Sequence, residues 1–109
     1  MGAPINEPDS IGQTALHYAV CHKYAKRLVS ILVERGAELN PVRKTDGWTP
    51  LHLAAMFGKC DVAHVLLEAG VDTSIKDDDG KTAEDVAKQY RKYNFADFLS
   101  RFVYKFSHL

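Results

Sequence analysis

"TDGWTPLHLAAMFGKC", residues 45–60, holds both a helix start and a helix stop. Thr49 offers a hydroxyl to the unpaired N–H groups of a following helix, and Pro50 suits the first helical position, where its missing N–H would have had no partner. A helix is therefore predicted from residue 50. Ala54 and Ala55 are small enough for a second helix to pack closely, and Gly58 breaks the chain before "CDVAHVLLEAG". In that second segment Val62, Val65, Leu66 and, one turn on, Ala69 fall on an apolar stripe at helical spacing, and Gly70 ends it. The unit is a helical hairpin with Trp48 at its entrance.

The same design recurs along the chain. "GQTALHYAV" starts at Gly12, "GWTPLHLAA" at Gly47 and "GKTAEDVAK" at Gly80, steps of 35 and 33 residues. One such hairpin cannot bury its apolar face alone, so the repeats must stack. The block "TPLHLA" at residues 49–54, with its near copy "TALHYA" at residues 14–19, matches a signature of this period, and the chain resembles the ankyrin-repeat family along nearly its whole length. The resemblance implies an all-α solenoid of stacked helix-turn-helix units with projecting β-hairpin loops.

On that reading residues 1–109 form a single domain: a leading hairpin of an incomplete repeat at 2–11, repeats at 12–46 and 47–79, and a C-terminal capping repeat at 80–109. The polar, glycine-bounded "GVDTSIKDDDG" suits a projecting loop, and its equivalent "GAELNPVRKTDG" is one residue longer. The first repeat carries another extra residue within "CHKYAKRL" and lacks a counterpart of Gly58, which predicts local distortion near Tyr24. The two helices that should precede the leading hairpin are absent; either the chain is a fragment of a longer array, or something else covers the first helical pair. At the other end Glu84 replaces Leu16 and Leu51, and Arg91 replaces Gly58, as suits an outermost unit. Phe95, Phe98 and Leu99 are expected to point inward, with "FVYKFSHL" folding back over the stack.

Composition excludes several functions. With 109 residues, 46% of them hydrophobic, the chain suffices for one core. Fourteen basic residues balance fourteen acidic ones, so no global field draws in nucleic acid or an anionic membrane. No apolar run approaches the length of a membrane span, the N-terminus has no secretory pattern, and Asn6 stands where a myristoylation signal wants Ser or Thr. Cys21 and Cys60 show no disulfide spacing, which favours the cytoplasm, with the nucleus as the alternative.

Candidates for chemistry each meet a structural explanation. His17 and His52 occupy the same place in two repeats; the helix dipole there favours a neutral imidazole, and the resemblance implies that this histidine ties the helix start to the adjoining loop. Cys60 and His64 have a metal-compatible spacing, but two ligands do not make a site. "DDDG", residues 77–80, lacks the alternating ligands and closing glutamate of a calcium loop. Modest basic clusters at Lys23, Lys26 and Arg27, and at Lys88, Arg91 and Lys92, read as solvated helix faces. No phosphate loop or nucleophile–base order is present, so no enzyme, metal or cofactor is expected.

The resemblance implies a recognition surface built from hairpin tips and the exposed positions late in each first helix. This selects Ile11, Gln13, Cys21 and His22 in the first unit, Asp46, Trp48, Met56 and Phe57 in the second, and Asp79, Lys81, Gln89 and Tyr90 in the third. Trp48, Met56, Phe57 and Tyr90 are expected at the centre of a contact with a protein or peptide, and Gln13, His22, Asp46 and Lys81 at its polar rim. Two alternatives stay open. Trp48 leans on the next hairpin instead of meeting a partner, or the chain is a structural or self-associating piece of a longer solenoid that meets a copy through Ile31 and Leu32.

Overall fold

The computed structural model describes residues 4–107, with side chains through residue 105; residues 2 and 3 of the leading hairpin and residues 108 and 109 of the cap lie outside the described residues. Three helical hairpins follow one another: α1 (Ala15–Val20) with α2 (Ala25–Glu34), α3 (Pro50–Phe57) with α4 (Cys60–Glu68), and α5 (Ala83–Gln89) with α6 (Tyr93–Ser107). The short helices α1, α3 and α5 stack in one layer, and α2, α4 and α6 stack in a second behind them. The described residues contain no strand, so the expected β-hairpins are tight turns, each closed by few backbone bonds, such as Arg43 N–H to Trp48 O at 3.1 Å.

Each inner helix starts as its sequence dictates. The Thr49 side chain accepts from His52 N–H, and the His52 ring nitrogen Nδ1 accepts from Thr49 N–H at 3.2 Å. Thr82 and Asp85 make the same reciprocal pair in α5. At the other end, Gly58 caps α3 in the left-handed conformation, φ 68°, which glycine adopts without steric cost.

The core lies between the two layers. Leu16, Leu51, Leu53, Leu66, Val62 and Phe95 are almost fully buried, and each aliphatic side chain among them stabilises the fold by roughly 2 kcal/mol. Ala54 and Ala55 are completely enclosed, as close packing of the second helix requires. The stripe predicted on α4 needs correcting. Val62 and Leu66 are buried and Val65 is half-buried, but Ala69 is exposed because α4 stops at Glu68 and leaves Ala69 as its cap. Ala63 and Leu67 are buried instead, since α4 touches α3 on one side and α2 and α6 on others, which widens its apolar face.

In the third pair Phe95 and Leu99 are buried and Phe98 packs against the core. Over its described residues, 102–107, the final segment does not fold back but continues α6, and Phe102 lies against the core from within that helix. The insertion near Tyr24 is absorbed by a turn over residues 21–24, in which Tyr24 N–H donates to His22 Nδ1, and α2 still stacks on α4.

Candidate protein-binding surface

Side-chain and loop hydrogen bonds join neighbouring units. His17 and His52 are buried, and in each the Nδ1 atom accepts from the capping threonine's N–H, so the proton must sit on Nε2. That N–H donates onward, His17 to Trp48 O and His52 to Lys81 O, both at 2.9 Å. Burial holds the His17 imidazole below its ordinary pKa, against the opposing pull of the Trp48 carbonyl. Asp85 holds this place in the third unit; as a carboxylate it has no proton to pass on, and the series stops there.

Two asparagines add a second row of ties that the sequence reading missed. Asn6 Oδ1 accepts from Glu38 N–H at 2.7 Å, and Asn40 Oδ1 accepts from Asp72 N–H at 3.0 Å. Their spacing by nearly one repeat was the available signal. The turns also bond directly, Lys44 N–H to Ile11 O at 2.7 Å and Asp78 N–H to Asp46 O at 2.9 Å.

Trp48 is not an exposed anchor, and its placement at the centre of a contact is corrected. Its side chain is buried at 9% exposure, its indole N–H donates to Asp77 Oδ2 at 2.9 Å, and its ring stacks on His52. An indole buried this deeply needs a partner for its N–H, and the next turn supplies one. Burial raises the Asp77 pKa, but hydrogen bonds from Lys81 N–H, Trp48 and Asp79 N–H outweigh it and hold the carboxyl below its ordinary value.

The remaining predicted residues divide into bound and open ones. Met56 is half-buried and packs against the core, so it backs the surface instead of projecting from it. Asp46 forms a two-point ion pair with Arg43, at 2.8 and 2.7 Å, and accepts from Trp48 N–H. Gln13 is half-buried and accepts from Arg43, while Lys81 donates to Gln89 at 2.6 Å. Arg43, absent from the predicted set, is therefore a hub: it holds Gln13 and Asp46, and its guanidinium lies 5.4 Å from the Trp48 ring. Its position three residues before Asp46 was the sequence clue.

Phe57 and Tyr90 are open, at 45% and 44% exposure, and His22 and Cys21 are exposed beside them in the series. Phe57 ends α3, Tyr90 caps α5 and Cys21 caps α1, so these residues follow the ends of the stacked inner helices. Tyr90 meets the Trp48 ring edge-on at 6.5 Å, which joins this row to the turns. Of the residues assigned to self-association, Ile31 is exposed and Leu32 packs against the core. His64 pairs with Glu68 at 3.2 Å and lies against Phe98, and no cluster of three metal-ligand side chains occurs among the described residues. No helix of the described residues is long and apolar enough to cross a membrane.

Known proteins share this pattern. The family described as "Ankyrin repeats (3 copies)" matches residues 1–77 and 25–104. The chain is 39% identical to protein phosphatase 1 regulatory subunit 27 of Mus musculus, over 69% of this chain and 47% of that protein. It is 39% identical to protein phosphatase 1 regulatory subunit 12A of Mus musculus, over 72% of this chain but 7% of that protein. Against tyrosine-protein kinase HTK16 of Hydra vulgaris it is 30% identical over 93% of this chain and 13% of the kinase. The chain thus spans less than half the length of each of these relatives. Ankyrin repeats are in general protein–protein interaction modules, and they occur within regulatory subunits and within enzymes alike. Six stacked helices, the repeated capping histidines and a family match over most of its length together show that this chain belongs to the ankyrin-repeat family.

Proposed function

We propose that the chain is a non-enzymatic module that binds a protein or peptide on the face formed by its turn tips and the ends of its inner helices. Phe57 and Tyr90 serve as the aromatic anchors, with Met56 behind them. Gln13, His22, Asp46 and Lys81 form the polar rim, and Trp48 supports Tyr90 from below. The observation that carries this reading is the exposure of two large rings on neighbouring, rigidly stacked helix ends, because rigid aromatic side chains lose little freedom when a partner covers them. Two free thiols, Cys21 and Cys60, suit a reducing compartment such as the cytoplasm or nucleus. Self-association through Ile31 and Leu32 has less support, since Leu32 is engaged with the core.

Affinity capture from cell extract with wild type and the Phe57→Ala/Tyr90→Ala variant tests the proposal. Partners retained by wild type should be lost from the variant while its helicity and melting temperature stay near wild type. Equal capture by both proteins places the binding face elsewhere.

A further inference from the structure

The basic cluster at the start of α2 lines a groove of about 770 Å³. Lys23, Lys26 and Arg27 from the first unit and Lys59 from the second surround it, against a single carboxylate, Asp61. Among the described residues none of these four cations lies within ion-pair distance of a carboxylate. In a chain with no net charge, this is a local concentration of unpaired positive charge, not a share of a general excess.

Lys59 is fixed in place. Its ammonium donates to Val20 O at 2.6 Å and to His22 O at 3.1 Å, the carbonyls where α1 ends, which leaves one proton free for a further acceptor. The groove also has apolar wall. Ile31 lines it with 38% of its surface exposed, and Tyr24, the N-cap of α2, presents a ring that is 60% exposed, with the Lys23 ammonium 5.2 Å from its centre. Cations grouped around an apolar strip fit an extended chain that alternates carboxylates with aliphatic side chains.

We propose that this groove is a second docking site, adjoining the face bearing Phe57 and Tyr90 at Lys59, whose ammonium lies 5.4 Å from the centre of the Phe57 ring, and that its ligand is an acidic peptide segment with an aliphatic residue seated against Ile31. The carboxylates lie over Lys23, Lys26 and Arg27, and one accepts the remaining proton of Lys59. A long polyanion such as nucleic acid fits less well, because Asp61 borders the groove and acidic residues balance the basic ones over the whole chain.

Fluorescence anisotropy with a labelled peptide of sequence Glu-Glu-Leu-Glu-Glu-Ile-Glu-Glu tests the site. Wild type should bind it at low salt, more weakly as salt screens the charges, and should not bind the counterpart with lysine in place of glutamate. The Lys23→Glu/Lys26→Glu/Arg27→Glu variant should bind at least ~10-fold more weakly, as expected when opposite charges across a contact are reversed. All three side chains are exposed, so circular dichroism should report an unchanged fold. Ile31→Ser, with every charge intact, should also weaken binding. Failure of wild type to bind, unchanged affinity in either variant, or tighter binding of a labelled oligothymidylate than of the peptide overturns the proposal. The Tyr90→Ala variant, which leaves Phe57 and its contact with Lys59 intact, should bind this peptide as wild type does, so the groove is tested apart from the aromatic face.

Discussion

The indole N–H of Trp48 and the Asp77 carboxylate are 2.9 Å apart, and this contact fastens the second helical hairpin to the turn that opens the third. Both side chains are buried, and the acceptor is charged. Trp48→Phe keeps a ring against His52 but removes the donor. Such a loss should cost about 2 kcal/mol, the usual range for a buried bond to a charged group, measured by urea unfolding. An unchanged unfolding midpoint would mean that the contact contributes nothing to stability.

His17 makes the fold sensitive to mild acid. Its folded-state pKa is lowered by burial from 6.5, so the unfolded chain takes up the proton first as pH falls. The stability it contributes is whole above 6.5 and declines as pH drops below that value towards the folded pKa. The depressed carboxyls of Asp46 and Asp77 act later: their contribution is whole above 3.8 and is lost only below it. Urea unfolding over about pH 4–7 should therefore show a slope belonging to the histidine window. His17→Ala should lose that component of the slope and, by stranding Thr14 N–H and Trp48 O, cost about 2 kcal/mol at neutral pH.

Gly58 and Arg91 occupy the same place in successive repeats, and both are left-handed, at φ 68° and 61°. Only the glycine is at ease there. Arg91→Gly should raise stability by roughly 0.5–1 kcal/mol through relief of that strain. Gly58→Ala should lower it by about 1 kcal/mol, because the new methyl is strained in that conformation and would sit 3.0 Å from Lys92 Cδ. Thermal melts of the two single variants should move in opposite directions.

Asn40 tests the second row of ties. Its amide oxygen is the acceptor for Asp72 N–H in an exposed setting, where water replaces a lost partner, so Asn40→Ala should cost no more than about 1 kcal/mol. Hydrogen exchange at the Asp72 amide should nonetheless accelerate. A protected Asp72 amide in the variant would show that this tie is not what shields it.

How much of this was readable beforehand follows the range of each interaction. The helix start at Thr49 and Pro50, its end at Gly58 and the threonine–histidine pairs are local, and the residues within one turn determine them. For Trp48 the alternative left open, leaning on the next hairpin, is what the structure shows, and local sequence could not decide it because its partner is 29 positions away, in a turn whose aspartates look like a solvated tip. The bond of Arg43 to Gln13 and that of Asn40 to Asp72 escaped notice for the same reason: they form only after the units stack, whereas the Arg43–Asp46 pair is local. Ala69 was misplaced because spacing alone cannot show that the helix has ended at Glu68. The exposure of Phe57 and Tyr90 agrees with what the family resemblance implied for positions late in an inner helix.

The chain has one tryptophan, and it is sealed where the second and third hairpins meet. Its emission is consequently a built-in optical gauge of that single junction. If the last hairpin frays before the others, the colour of the fluorescence will shift to the red while most helical signal persists; if the whole stack comes apart at once, the two signals will change together.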